Sequence, residues 1–441
     1  MNKKAFYIET MGCQMNEYDS DYLARSLINC GFVPVDCPDD ADLILINTCT
    51  VRAKAEQKAY SAIGRMSAQK TRRSGLILGV VGCMAQQKGA DLIQRFPMLD
   101  LVIGPREIST IPEILSEMSE CRKKVIKTNL KPDPPPPVFC QRYFEKRVSG
   151  YISIMQGCNN FCSYCIVPFV RGREVSRSPE EIFDESNGLI SQGIKEISLL
   201  GQNVNSYVWE KGDKWDFSSL LRRINGIEGL LRLRFTTSHP KDLSDKLIQC
   251  FNELDKLCSH IHLPFQAGSN TVLKSMKRGY TREHYMELIG KLRAASPDIA
   301  VTSDVMVGFP GESEKDFLST LDLIEKIEFD SLFSFKYSDR KGTFAEKMKD
   351  KIEESEKSSR LRDLQELQKE ISLRKNMSLE GKTVEVLVEG ESKKGGQLTG
   401  RTASNKVVNF KCDNKVIGRL INVKIKHGFL NSLEGEIPGR A

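Results

Sequence analysis

The sequence predicts an α/β protein in three parts: an N-terminal doubly wound parallel sheet, a central partial (β/α)6 barrel and a small C-terminal β-barrel. Three observations predict it. Short apolar runs alternate with helical stretches from residue 5 to about 120, the alternation restarts after a proline run, and residues 379–441 change to short strands broken by glycines. A chain of 441 residues is also too long for one ordinary core.

AFYIET (5–10), LILIN (43–47), LILGVV (76–81) and LVIG (101–104) read as strands. Between them lie helical stretches from Tyr18 to Asn29, through Lys54 and Ala62, and near Gln86 to Phe96. Apolar strands spaced by helices imply a parallel sheet covered on both faces. PDPPPP (132–137) cannot continue a helix or a central strand and reads as a stiff linker within residues 126–143. GYISIM (150–155), KEISLL (195–200), LRLRF (231–235), HIHLPF (260–265), IAVTSDVMVGF (299–309) and SLFSF (331–335) supply six further strands with helices between them. Six units make a partial or open barrel rather than the full eight. Residues 346–378 read as one long charged helix with a solvated face. TVEVLVEG, VVNF and LINVKIKH then suit a small β-barrel. The divisions that follow are 1–125, 126–143, 144–378 and 379–441.

The composition is that of an ordinary soluble globular protein, 40% hydrophobic and 28% charged. Nothing approaches the roughly 18 consecutive apolar residues of a membrane helix, and MNKKAFYIET breaks to Glu9 too early for a secretory signal. A cytoplasmic protein with no membrane segment, acting as a monomer, is the expectation. The net charge of +7 permits a nucleic-acid partner without demonstrating one. Residues 379–441 carry 11 Lys or Arg against 7 Asp or Glu, so much of the positive excess sits there. Thirteen cysteines, an odd number, argue against a disulfide framework and for metal or redox roles.

QGCNNFCSYC places Cys158, Cys162 and Cys165 in a C-x3-C-x2-C loop after a strand. Three thiolates from one loop can hold three irons of a 4Fe–4S cluster and leave the fourth open to S-adenosylmethionine. Three structural thiols, or a zinc knuckle completed from elsewhere in the fold, are the alternatives; no fourth His or Cys lies near in sequence. Cys13, Cys49 and Cys83 are far apart in sequence, yet each follows the carboxyl end of a predicted strand. In an open parallel sheet those ends share one edge, so the three converge as a second cluster site, unless they are unrelated core cysteines.

GCQMNEYDS around Cys13, NTCTVR around Cys49 and GCMAQ around Cys83 resemble the N-terminal domain of the methylthiotransferase family. SIMQGCNNFCSYCIVPFVRGREVSR, LLGQNVNSY, RFTTSHP, HLPFQAGSN and SDVMVGFPGE resemble that family's radical S-adenosylmethionine domain, and the basic C-terminal β region its RNA-binding TRAM domain. The resemblance spans essentially the whole chain in the right order. It implies two 4Fe–4S clusters, a catalytic one on Cys158, Cys162 and Cys165 and an auxiliary one on Cys13, Cys49 and Cys83. LLGQNVNSY and GCQMNEYDS further resemble the branch that converts N6-isopentenyladenosine, next to the tRNA anticodon at position 37, to its 2-methylthio form. Sister branches act on N6-threonylcarbamoyladenosine or on a ribosomal protein aspartate.

The chemistry implied is consistent. An aromatic C–H has no useful acidity, so general base catalysis cannot activate it near pH 7, whereas a carbon radical can. One S-adenosylmethionine would methylate sulfur at the auxiliary cluster and a second would generate the radical, two per turnover, with an external one-electron reductant feeding the clusters. The cofactor does this chemistry and the barrel positions it. An iron–sulfur electron carrier or RNA-binding protein without catalysis is the rival class, and it leaves the open three-cysteine loop unexplained.

Weaker signals surround the loop. Tyr164 precedes its last cysteine and is a candidate cofactor contact. Gln202, Asn203 and Asn205 stand where many relatives of the barrel carry a glycine-rich motif; they either hydrogen-bond the cofactor or cap the next helix. Gly308 and Gly311 in GFPGE either admit the cofactor or make a tight turn. Arg171 and Arg173 either meet phosphates or lie on a solvated face. His260 and His262, and the cysteines at 30, 37, 121, 140, 250, 258 and 412, read as structural or surface residues.

Overall fold

The computed structural model describes residues 3–438 apart from Val51, Arg52, Ser74, Arg122, Pro132, Lys146 and Lys394. Pro132 of the proline run therefore lies outside the described residues. No helix among the described residues is long and apolar enough to cross a membrane.

The N-terminal sheet has six parallel strands: β1 (Ala5–Met11), β2 (Val33–Pro34), β3 (Leu43–Thr48), β4 (Ile77–Gly82), β5 (Leu101–Ile103) and β6 (Val125–Lys127), in the order β2-β1-β3-β4-β5-β6. Every residue of β3 is buried, which explains its unbroken apolar reading. One face packs Tyr22, Leu23 and Leu27 of the helix Gln14–Asn29 with Ile111 and Ile114 of the helix Ile111–Glu120. The other packs Ala59, Ala62, Ile63 and Met66 of the helix Ala53–Arg72. The two edge strands are too short to show in an apolar pattern. The expected helix near Gln86–Phe96 is two helices, Cys83–Lys88 and Ala90–Arg95, broken at Gly89 with φ 48°.

The central domain begins with β7 (Ser149–Ser153), followed by β8 (Met155–Gln156) and β9 (Val175–Ser176), an antiparallel pair that closes the base of the Cys158 loop. Next come β10 (Glu196–Leu200), a small hairpin of β11 (Val208–Trp209) and β12 (Trp215–Asp216), then β13 (Arg232–Phe235), β14 (His260–His262), β15 (Ala300–Val307) and β16 (Ser331–Lys336). The six parallel strands form two sheets, β7-β10-β13 and β14-β15-β16, joined by a parallel bridge between Leu233 and Leu257. They coincide with the six expected runs. Ile152, Ile197, Leu199, Leu233, Ile261, Val301 and Val305 fill the core between strands and helices.

The long charged helix runs from Glu354 to Met377, later than expected, and its charges are not all solvated. Arg360 is buried and pairs with buried Glu312 at 2.7 Å, while Leu364 and Ile371 join the barrel core. The C-terminal strands β17 (Thr383–Glu391), β18 (Leu398–Thr402), β19 (Val407–Phe410), β20 (Leu420–Gly428) and β21 (Leu433–Glu436) close a barrel in the order β17-β18-β19-β21-β20. Val386, Val388, Val408, Phe410, Val423 and Ile425 alternate inward to fill it.

Candidate active site at the strand ends

Cys13, Cys49 and Cys83 do converge. In-register pairs Met11–Thr48 and Thr48–Gly82 bring the ends of β1, β3 and β4 level. Cys49 follows β3 directly and its N–H donates to Met11 O at 3.0 Å. Cys13 caps the helix Gln14–Asn29, and Cys83 opens the helix Cys83–Lys88. Gly82, at φ 93°, leaves no room for a side chain: a Cβ there would lie 2.5 Å from Asn47 Oδ1 and 2.7 Å from Thr48 O. Cys13 is exposed, whereas Cys49 and Cys83 are buried. A hydrogen bond from Cys49 pulls the Cys13 thiol down to about 6, helped by Arg171 and by the N–H groups of Asn16 and Met15 in the first helical turn, against partial desolvation. A thiolate at pH 7 is the ligand form of cysteine.

The second set lies in the 157–174 loop. Cys162 is buried, and Cys158 and Cys165 are half-buried. The loop folds back tightly at Gly157, φ 83°, where a Cβ would lie 2.1 Å from Arg173 O. Cys158 N donates to Gly172 O at 3.2 Å and Cys165 N to Cys162 O at 2.9 Å. Burial pushes the Cys165 thiol up to about 12, with the neighbouring Cys162 next in importance, and burial also raises Cys158. Thiols such as Cys158 and Cys165 that resist ionisation alone ionise when cations bind them.

Among the described residues no three His, Cys, Asp or Glu side chains are drawn closely enough together to share one metal ion. A single tetrahedral ion holds its sulfurs at about 2.3 Å, whereas a 4Fe–4S cluster takes one thiolate per iron and spreads them. Each set offers three free thiols, the donor type that holds three irons of such a cluster, so the residues present fit that group.

Comparison with known proteins agrees with this arrangement. Residues 5–104 match the family described as Uncharacterized protein family UPF0004, residues 152–324 the Radical SAM superfamily and residues 377–437 the TRAM domain. The tRNA-2-methylthio-N(6)-dimethylallyladenosine synthase of Syntrophus aciditrophicus is 49% identical over 99% of this chain and 95% of its own length. That of Geobacter sulfurreducens is 49% identical over 98% of this chain and 97% of its own. The chain belongs to the tRNA-2-methylthio-N(6)-dimethylallyladenosine synthase family. Solved structures share the fold at lower identity. The radical S-adenosylmethionine methyltransferase TsrM of Kitasatospora setae, with cobalamin and a [4Fe-4S] cluster bound, aligns over 76% of this chain and 72% of its own at 17% identity and TM-score 0.57. The cobalamin-dependent radical enzyme OxsB aligns over 83% of this chain and 56% of its own at 12% identity and TM-score 0.53.

In this member of the family the two cysteine sets share a wall. Cys83 packs against Ile166 and Val170, which directly follow the Cys158–Cys165 loop. Arg171 is neither a solvated arginine nor a surface phosphate contact. It is buried, pairs with buried Asp19 at 2.6 Å and donates from Nε to Cys83 Sγ at 3.3 Å. Burial disfavours its charge, but Asp19, Cys83 and Cys13 together outweigh that and hold it charged. Arg106, fully buried after β5, donates to the carbonyls of Arg171, Gln156 and Arg173 at 3.0, 3.2 and 2.9 Å. The N-terminal sheet thus grips the cysteine loop of the barrel directly.

The remaining candidates fall in different places. Gln202 Oε1 accepts from Gly157 N at 2.5 Å, at the entry to the cysteine loop. Asn203 is buried; its Nδ2 donates to Asp242 at 2.7 Å while its Oδ1 has no protein partner. Asn205 exchanges two hydrogen bonds of 2.9 Å with the backbone of His239, tying the end of β10 to the next loop. Tyr164 packs edge-on to Phe309 beside Ala267 and Met276. Gly308 N donates to Glu312 at 2.7 Å, and a Cβ there would strike Lys357, so this glycine sits under the helix Glu354–Met377; Gly311 is open. His260 and His262 both meet Thr302 Oγ1 at 3.1 Å.

Three residues were not singled out from sequence. Arg278 is buried, donates to Cys162 Sγ at 3.4 Å and to Pro264 O at 2.9 Å, and brings positive charge to the loop. Burial, then Arg278 and Lys241, push His239 down to about 2, so it is neutral, and its buried Nε2 has no protein partner. Burial pushes Glu174 up to about 7, with Asp242 adding to it and Ser206 and Lys241 opposing. No local pattern marks these positions; RFTTSHP contains His239 and VRGREVSR contains Glu174, but neither motif says what those side chains do.

Proposed function

We propose that the chain is a tRNA methylthiotransferase that converts N6-isopentenyladenosine beside the anticodon to its 2-methylthio derivative. The observation that carries this reading is the shared wall between the two cysteine sets, Cys83 against Ile166 and Val170 with Arg171 between them. A reaction that must put both sulfur and a radical at one carbon needs two such sites side by side. The full-length relatives that bear this activity in their names support it.

In this reading Cys158, Cys162 and Cys165 hold the cluster that works with S-adenosylmethionine, and Cys13, Cys49 and Cys83 hold the auxiliary cluster. When bound, these groups supply the radical, the sulfur and the methyl group that an unactivated aromatic C–H requires. The chain's own residues do the rest. Arg278 compensates negative charge at Cys162, and Arg171 does so at Cys83. Arg106 and Gln202 fix the two ends of the cysteine loop. Asn203 Oδ1 and His239 Nε2 offer polar atoms in a buried setting, and Tyr164, Phe309 and Tyr337 wall the loop with apolar surface that excludes water. Residues 379–441 grip RNA by charge and shape. The domains divide near 1–125, 126–143, 144–378 and 379–441, with the edge strand β6 carrying the first on to Lys127, and the protein works as a cytoplasmic monomer fed by an external one-electron reductant.

The test is iron and acid-labile sulfide content after anaerobic reconstitution, beside a Cys13/Cys49/Cys83 triple-alanine variant, with nucleoside mass spectrometry of tRNA from a deletion strain. The reading requires about eight irons per chain falling to about four in the variant, and loss of the 2-methylthio-isopentenyl nucleoside in the strain. About four irons in both proteins, or loss of a threonylcarbamoyl product instead, would sink it.

A further inference from the structure

Around the mouth of the Cys158–Cys165 loop three phenylalanines stand in solvent: Phe161, Phe169 and Phe344 are 42%, 50% and 60% exposed. Each is tied to the loop. Phe161 lies within it, and Phe169 lies just past it with the two rings edge to face at 6.4 Å. Ser163 accepts a hydrogen bond from Ala345, next to Phe344, and donates to Met276, next to Lys277. Two cations stand over these rings. The Arg173 guanidinium is 5.5 Å from the Phe161 centroid and Lys277 Nζ is 4.3 Å from that of Phe344, and both residues are exposed.

The backbone holds this rim at a cost. Phe161 and Lys277 are non-glycine residues in the left-handed region, at φ 44° and 58°, a conformation that persists only where the surroundings enforce it. Exposed phenylalanines scattered singly need no explanation. Three gathered around one loop, all exposed and two with a cation beside them, make a different pattern. Aromatic faces with interleaved cations are how proteins hold unpaired bases and the phosphates between them. An acidic protein surface would be met by the cations but leaves the ring faces unused.

We propose that Phe161, Phe169 and Phe344, with Arg173 and Lys277, form a stacking rim that holds the unpaired bases of an RNA loop over the cysteine loop. This deepens the reading above and rests on it: the C-terminal barrel holds the RNA body by charge, and this rim splays the loop so that one base can enter.

The test uses the reconstituted full-length enzyme and an anticodon stem-loop oligonucleotide containing N6-isopentenyladenosine, with a plain RNA duplex as control. Phe169→Ala and Phe344→Ala, both outside the cysteine ligands, are compared with wild type by fluorescence anisotropy. Each should weaken stem-loop binding about 5-fold to 100-fold and leave duplex binding within about 2-fold, while Phe→Tyr at the same positions restores affinity. Arg173→Gln with Lys277→Gln should flatten the salt dependence of binding by about 0.7 in log–log slope for each phosphate no longer neutralised. Should an alanine variant fail to reconstitute its iron, Phe169→Leu and Phe344→Leu keep the bulk, lose the ring face and carry the same prediction. Unchanged stem-loop affinity in the Phe169/Phe344 double variant overturns the rim. So does a loss confined to turnover driven by a one-electron carrier protein, with dithionite-driven turnover and RNA affinity intact, because that outcome makes the rim a dock for the reductant. Failure of wild type to bind the stem-loop overturns the function proposed above instead.

Discussion

Arg171→Gln isolates the buried pair at the seam between the cysteine sets. Asp19 is 1% exposed, its Oδ2 meets Arg171 at 2.6 Å and its Oδ1 has no protein partner. Burial raises its pKa from 3.8, and Arg171 is the group that pulls it back. Without the arginine the carboxylate cannot stay ionised there, so it takes up a proton instead. Protonating a carboxyl of ordinary pKa 3.8 costs about 4 kcal/mol at pH 7 and about 1.6 kcal/mol at pH 5, which bounds the penalty. The sign follows: a carboxyl whose folded pKa is raised weakens the fold as pH rises above its unfolded value. Urea unfolding of the thiol-reduced, cluster-free protein, followed by circular dichroism at pH 7 and pH 5, measures it. Because burial already raises the Asp19 pKa in wild type, Arg171→Gln should lose less than that bound, about 1–4 kcal/mol at pH 7 and distinctly less at pH 5, and adding Asp19→Asn should recover most of the loss. A single variant within about 1 kcal/mol of wild type at pH 7, or a penalty that neither changes with pH nor responds to Asp19→Asn, refutes the reasoning.

Glu185 accepts from Arg25 at 3.3 Å and from Arg177 at 2.7 Å with all three side chains buried, joining the N-terminal helix to the barrel. Glu185→Gln should cost about 3–5 kcal/mol in the same urea assay, and a cost below about 1 kcal/mol would show the pairs are not both held. Glu174 sits near 7 rather than 4.5 because of burial, so its contribution to stability is present below pH 4.5 and lost as pH rises through about 7. Glu174→Gln should therefore gain on wild type between pH 5 and pH 8, and urea midpoints that run parallel across that range would contradict the shift. Arg234 donates to Thr402 and Ala403 carbonyls at 2.7 and 3.0 Å, and Arg232 donates to Glu385 O at 3.2 Å. Replacing both arginines with alanine should loosen the C-terminal barrel and open limited proteolysis near residues 378–382, which an unchanged digestion pattern would disprove.

How much of this was legible depended on the range of the forces involved. β3 shows as LILIN because it is buried on both faces, and β10 and β13 show for the same reason, whereas β15 alternates buried and half-buried positions. Cys13, Cys49 and Cys83 were legible through topology: once three parallel strands are placed, their ends must meet. β2 and β6 were not, since two or three residues at a sheet edge carry no period. Nor was the late start of the helix at Glu354, because residues 346–353 are as charged as the helix itself. Arginines misled most. In VRGREVSR, Arg171 and Arg173 look alike, yet one is buried on Asp19 and the other lies open beside Phe161. Only the tertiary partner separates them, and that partner is 152 residues away.

The same contrast bears on why the seam is built from charge at all. Arg25, Arg106, Arg171 and Arg177 are all buried between the N-terminal sheet and the barrel; Glu185 pairs with Arg25 and Arg177, Asp19 with Arg171, and Arg106 with backbone carbonyls. Buried ion pairs seldom stabilise a fold more than well-packed apolar side chains of the same volume would. Hydrogen bonds to fixed carbonyls, however, have one satisfactory geometry, whereas apolar surfaces slide at little cost. Arg106 reaches three carbonyls on either side of the cysteine loop, so a small shift between domains would strand all three at once. In the function proposed above the two cysteine sets act on one base, and that action needs their register more than extra stability. The polar seam is therefore better understood as a device for alignment, with the apolar contact of Cys83, Ile166 and Val170 as the point it aligns.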